Sequence, residues 1–149
     1  MKIYVDADAC PVQAEVIDLA GEFGLEVFLV KSFSHFSHEE QPEFVREIYV
    51  DPGVDSADYK ILALVEKGDI VVTQDYGLAA LCLPKGALVL HQKGFLFTEN
   101  NIDRLLQSRH LSALARRAGE RTKGARAFTD QDRSKFRQRL KQTIEQMLY

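Results

Sequence analysis

Five short apolar runs, set apart by segments of helical character, limit the folds open to this chain more than any other feature. Ile3-Tyr4-Val5 ends at Asp6, and Val27-Phe28-Leu29-Val30, Glu47-Ile48-Tyr49-Val50, Ile70-Val71-Val72 and Ala87-Leu88-Val89-Leu90 follow. None alternates cleanly between apolar and polar residues, so each reads as a strand covered on both faces. Between them, apolar residues recur at helical spacing. Val12, Val16, Leu19, Ala20 and Phe23 precede a Gly24 stop, and Ile61, Leu62, Leu64 and Val65 precede Gly68. Pro11 suits the first turn of the first helix and places its cap at Cys10. A short helix is predicted at 77–82, and the Ser-, His- and Glu-rich stretch 32–44 reads as a loop. Strands alternating with helices through right-handed crossovers give an α/β fold, a Rossmann-like three-layer sandwich with a mainly parallel five-stranded sheet.

At 149 residues the chain is expected to form one domain, residues 1–149. Within it, 1–98 is the α/β core and 99–149 a basic helical extension. Charge divides at the same place. Residues 1–98 hold 7 Lys and Arg against 16 Asp and Glu, leaving −9, whereas residues 99–149 hold 12 against 6, leaving +6. Such asymmetry suits either a basic appendage for a polyanion or two solvated faces that attract one another. Phe97-Thr98-Glu99 and Phe128-Thr129-Asp130 both carry helix-start chemistry, a threonine cap followed by an acid. A break is expected near Ser108, between Ile102, Leu105 and Leu106 and the later Leu111, Leu114 and Ala118. Phe136, Leu140, Ile144 and Met147 or Leu148 form a narrow stripe on the last helix, which could dock on the body or on a second copy as a homo-oligomer contact. Gly119 to Arg126 reads as a polar loop. No apolar run approaches the roughly 18–20 residues that span a bilayer, so no membrane partner is expected. The N-terminus meets Asp6 too early for a signal peptide. Cys10 and Cys82 form no disulfide or metal pattern, which suits a reducing cytoplasm.

Ligands of a parallel α/β sheet collect at the carboxyl ends of its strands. Asp6 ends the first strand and Asp8 follows it. Asp75 follows the fourth strand in Val72-Thr73-Gln74-Asp75-Tyr76-Gly77, and Asp55 and Asp58 lie at the start of the helix between strands three and four. Any one of them could simply cap a helix, and Asp55-x-x-Asp58 resembles a capping box. Asp6 and Asp8 fit that role badly, because one helix needs one cap. If strands one and four are neighbours, Asp6 and Asp75 approach closely and need a proton or a cation. No Lys or Arg lies within three residues of Asp6, Asp8 or Asp75, so a hard, oxygen-ligated cation such as Mg2+ or Mn2+ is the natural counter-ion.

Val5-Asp6-Ala7-Asp8-Ala9-Cys10-Pro11, Asp55-Ser56-Ala57-Asp58-Tyr59, Val72-Thr73-Gln74-Asp75-Tyr76-Gly77-Leu78-Ala79 and Asn101-Ile102-Asp103 resemble the YaiI/YqxD family of uncharacterised bacterial proteins. The resemblance covers nearly the whole chain, and the Thr-Gln-Asp-Tyr-Gly-Leu-Ala run is its most specific part. That family is grouped with the PIN-like nucleases, whose strand-end carboxylates hold divalent metal for phosphodiester hydrolysis. The resemblance implies a PIN-like fold, with Asp6, Asp58 and Asp75 as metal ligands and Asp55 as the rival of Asp58. Asp6, Asp8 and Asp75 would be catalytic, although Asp8 has no secure counterpart. Thr73 could hydrogen-bond a carboxylate or serve only as a strand residue. Arg116, Arg117, Arg121, Lys123 and Arg126 could meet a phosphate backbone, with RNA expected ahead of DNA as the partner.

Two other functions compete with metal-assisted hydrolysis. In a haloacid-dehalogenase-type phosphatase, Asp6 would be the nucleophile and Asp8 the general acid, with Ser32 or Ser34, Lys60 and Asp75 in plausible order. Cys10, Pro11 and Ala79 depart from that pattern. A non-catalytic nucleic-acid-binding module would bind irrespective of metal. His35 and His38 have helix-face spacing but fall in a loop without a third ligand. Cys10 near a helix start could be nucleophilic, but the adjacent carboxylates oppose a thiolate.

Overall fold

The computed structural model describes residues 1–33, 40–53, 55–120 and 127–149. Its elements run β1 (Lys2–Asp6), α1 (Gln13–Phe23), β2 (Glu26–Ser32), β3 (Val45–Val50), α2 (Ser56–Leu64), β4 (Ile70–Val72), α3 (Tyr76–Cys82), β5 (Leu88–Leu90), β6 (Leu96–Phe97), α4 (Glu99–Arg117) and α5 (Asp130–Leu148). The sheet order is β3-β2-β1-β4-β5-β6. All neighbours are parallel except β5 and β6. The chain therefore builds one half of the sheet outward from β1 and then crosses to β4 on the other side. Val5 pairs with Val72 in that central contact, which places Asp6 and Thr73 side by side at its carboxyl end.

Each central strand is buried on both faces, as its unbroken apolar run requires. Ile3, Val5, Ile70 and Val72 meet Val16 and Leu19 of α1 and Phe136, Leu140 and Ile144 of α5. Tyr4 and Val71 face the opposite way, toward Ile61 of α2, Leu78 of α3 and Ile102 of α4. Thr98 and Thr129 both cap helices through complete capping boxes, with Asn101 and Asp132 as the reciprocal partners. Gly24 ends α1 at φ 70°, a left-handed conformation natural to glycine. Phe136, Leu140 and Ile144 of the α5 stripe are spent within this chain, whereas Met147 and Leu148 at its end stay exposed; Arg133 fastens the helix by donating to the Pro11 carbonyl and to Glu15.

The structure departs from the sequence expectations in four places. The sheet has six strands, because the chain folds back at Gly94 and adds the two-residue antiparallel β6. A side chain at Gly94 would come within 2.7 Å of the Lys135 backbone, so this turn and α5 fit together only with glycine. Helix α1 begins at Gln13 without a side-chain cap. The chain first turns through Ala9 at φ 59°, and the Cys10 N–H is spent on the Ala7 carbonyl. Helix α4 runs unbroken through Ser108. The register change there marks the point where the helix leaves the body, since Leu111 and Leu114 are exposed. Asp55 precedes α2 but makes no capping hydrogen bond, since its backbone is left-handed at φ 64° instead of extended.

Candidate metal centre and adjoining cleft

The site grows from the β1–β4 contact. Thr73, the residue after β4, is buried, and its hydroxyl donates to Asp6 Oδ2 at 3.0 Å. The same hydroxyl accepts the Asp75 N–H at 3.0 Å. Thr73 is thus the joint between the two strand ends. Asp75 Oδ1 accepts from the Leu78 N–H at 3.1 Å and caps α3. Asp8 accepts the Ser32 N–H at 3.1 Å and ties the loop after β1 to the end of β2.

Asp55 and Asp58, from the start of α2, converge on Asp75 from the other side. One carboxylate oxygen from each lies within 4.8 Å of the others, a grouping that could hold a metal ion. Asp6 lies outside that trio, although its charge is felt at Asp58. The geometry thus joins Asp55, Asp58 and Asp75, whereas the sequence argument joined Asp6, Asp58 and Asp75 and set Asp55 as an alternative to Asp58. Both α2 aspartates take part because Asp55 makes no cap. Among the described residues, no Lys, Arg or His pairs with Asp6, Asp55, Asp58 or Asp75.

Crowding of like charges has a direct electrostatic result. Asp58 is pushed up to about 7, first by desolvation, then by the charge of Asp75 and a carboxyl–carboxyl hydrogen bond with it, then by Asp6 and Asp55. Asp6 is also raised, chiefly by burial and further by Asp75 and Asp8, against the lowering effect of the Thr73 hydroxyl. Near neutral pH the cluster thus keeps a proton that a divalent cation would displace. The donor set, all hard oxygen, suits Mg2+ or Mn2+ rather than a soft metal. Asp55, Asp58 and Asp75 line a cleft of about 190 Å3 with Asp8, Ser32 and Asp51. Asp51 was missed by sequence reasoning, although its place just after β3 follows the strand-end rule.

A second and larger cleft, about 850 Å3, begins at Asp6 and Asp75 and runs under α4. Tyr76, His91, Phe95, Arg109 and Arg116 contribute to its wall. Of these only Arg116 was singled out from sequence; the others come from four separate elements or turns and share no motif. Arg117 is exposed at the end of α4 and does not line either cleft. Arg121, Lys123, Arg126, Ser34, His35 and His38 lie outside the described residues. Cys10 and Cys82 are both pushed up to about 11, mainly by burial, which removes the nucleophilic thiolate considered for Cys10. No helix among the described residues is long and apolar enough to cross a membrane.

The family profile described as uncharacterized BCR, YaiI/YqxD family matches residues 4–146. A UPF0178 protein of Bacillus thuringiensis subsp. konkukian is 56% identical over 144 residues, covering 97% of this chain and 99% of its own length. A UPF0178 protein of Oceanobacillus iheyensis is 57% identical with the same coverage, and one of Bacillus anthracis is 56% identical. No solved structure is a significant match. A profile spanning both the Asp6 and Asp75 strand ends and the docked helix α5, together with relatives matched along almost their full length, makes this chain a member of the YaiI/YqxD family (UPF0178) of uncharacterised bacterial proteins.

Proposed function

We propose that the protein is a PIN-like, divalent-metal-dependent hydrolase of phosphodiester bonds in nucleic acid, RNA ahead of DNA, working in the cytoplasm. One observation carries the reading: three carboxylates within 4.8 Å of one another, without a cationic partner among the described residues, at the point where the strand order reverses. That is where open α/β sheets bind their ligands. Asp55, Asp58 and Asp75 would hold Mg2+ or Mn2+, and Asp58 would give up its proton as the ion enters. The bound ion would supply Lewis-acid polarisation of a phosphoryl oxygen and an acidified water. Thr73 fixes the Asp6 carboxylate beside the trio, where it can orient water or take its proton. Asp8 holds the end of β2 and so shapes the far wall of the cleft.

A second reading, a non-catalytic nucleic-acid-binding module, draws on the structural work that two of these carboxylates already do. Asp75 caps α3 and Asp8 binds a backbone N–H. Calorimetric Mn2+ titration of the wild type, Asp6→Asn and Asp58→Asn/Asp75→Asn, with cleavage of 5′-labelled single-stranded RNA in parallel, separates the two. The hydrolase reading expects binding and metal-dependent cleavage in the wild type. It expects loss of both in the double variant, and loss of cleavage with retained binding in Asp6→Asn. Mn2+ affinity unchanged in the double variant overturns the site. RNA binding that ignores metal removal, with no cleavage, selects the module.

A further inference from the structure

We propose that the 850 Å3 cleft is a base-stacking and phosphate-binding subsite that holds the nucleotides flanking the scissile bond of a single-stranded nucleic acid. The proposal rests on the hydrolase reading for the position of that bond, but not for binding itself. Its volume falls within the range of about 300–1,000 Å3 common to small-ligand sites, and its lining carries both signs of charge. Asp6 and Asp75 supply its acidic lining, and Asp75 also lines the smaller acidic cleft, so the two spaces meet at that side chain. Arg109 and Arg116, both on α4, line the same cleft with Lys93. A nucleic-acid strand can use both: a cation at the carboxylates for one phosphate and arginines for a neighbouring one.

Part of the wall is aromatic. The Arg109 guanidinium lies over the Tyr76 ring, 5.6 Å from its centroid. His91 stacks on Phe95 with centroids 4.4 Å apart and planes 12° from parallel. Tyr76 and Phe95 each set an edge-on contact against Phe97, which is buried beneath them. The rings are therefore held in place, and neither Tyr76 nor Phe95 is fully buried. His91 is neutral, lowered to about 4 mainly by burial and further by Lys93, with Asp132 opposing. Its Nδ1 accepts the Lys93 N–H at 3.0 Å, which assigns the ring proton to Nε2. Flat rings interleaved with arginines suit unpaired bases, because every base has a π face while a duplex hides its own.

The test uses a fluorescein-labelled mixed-sequence octaribonucleotide and fluorescence anisotropy, in EDTA, with the wild type and the Asp58→Asn protein. Without metal no hydrolysis intervenes, and the Asp58→Asn background carries no charge at that position at any pH. On either background, adding Arg109→Gln/Arg116→Gln should weaken binding at least tenfold and flatten the salt dependence by about 1.4 in log–log slope, at about 0.7 per phosphate contact on a single strand. Phe95→Leu, which keeps apolar volume but removes a ring, should weaken it by about tenfold. The same octamer annealed to its complement should bind less tightly. Wild-type affinity and salt slope in the arginine variant, equal affinity for the duplex, or no binding by either background would each overturn the subsite. The two arginines are exposed, so that variant folds even if Phe95→Leu does not. Mn2+ titration of the arginine variant should match the wild type. A failed metal centre would show there and leave the anisotropy result intact.

Discussion

In EDTA at pH 8, Asp58→Asn should raise the stability of the protein, the reverse of what replacing a half-buried side chain usually does. The folded state holds the Asp58 carboxyl at about 7 instead of 3.8. Between those values the folded chain binds more protons at Asp58 than the unfolded one, so the stability Asp58 contributes is full below about pH 4 and is lost as pH rises through about 7. A shift of that size corresponds nominally to about 4 kcal/mol at about 1.36 kcal/mol per pH unit. Asp58 is only partly buried, and solvent screening reduces the effect to about 1–2 kcal/mol. Asparagine keeps the shape and the hydrogen bond to Asp75 but carries no charge. The variant should therefore melt about 3–8 °C above the wild type at pH 8, at about 2–4 °C or more per kcal/mol, and at the same temperature near pH 4. Differential scanning calorimetry across that range reads both. Added Mn2+ should reverse the order, since a ligand at a hundred times its Kd stabilises the folded state by about 2.7 kcal/mol and the variant binds it poorly. A variant less stable than the wild type at pH 8, or an offset that ignores pH, would refute the claim that the three carboxylates strain the apo protein.

Two further expectations concern the scaffold. Thr73→Val removes the donor to Asp6 and the acceptor of the Asp75 N–H together; urea unfolding should show a loss of about 1–3 kcal/mol, with RNA cleavage falling alongside. Leu140→Ala opens a space where α5 meets the sheet, and the same assay should register a loss of about 2–5 kcal/mol without change in Mn2+ affinity.

The parallel sheet was legible because strands buried on both faces must be apolar throughout, and Ile3-Tyr4-Val5 and Ile70-Val71-Val72 are. Their adjacency then placed Asp6 beside Thr73. Strand β6 escaped notice because two residues, Leu96 and Phe97, carry no period. The destination of α5 was not legible, since Phe136, Leu140 and Ile144 would look the same docked on a second copy. Asp55-x-x-Asp58 read as a capping box, and only the left-handed backbone at Asp55 shows that both carboxylates are left for the cleft. The aromatic wall was invisible for a different reason. Tyr76, His91, Phe95 and Arg109 meet only through the hairpin at Gly94 and the lean of α4 over α3, and no local spacing encodes that.

The fastening of α5 to α1 bears on how the protein is made. Arg133 bonds Pro11 across 122 positions, and Phe136, Leu140 and Ile144 complete a face of the core begun by Ile3 and Val5. A ribosome adding about 5–20 residues per second would leave that face of β1 and β4 partly bare for several seconds after those strands emerge. Contacts this distant in sequence also slow folding itself. Helix α1 can cover only its own share of that face, so until α5 emerges the nascent chain presents the remainder as an apolar surface, the kind that chaperones take up and that self-association exploits.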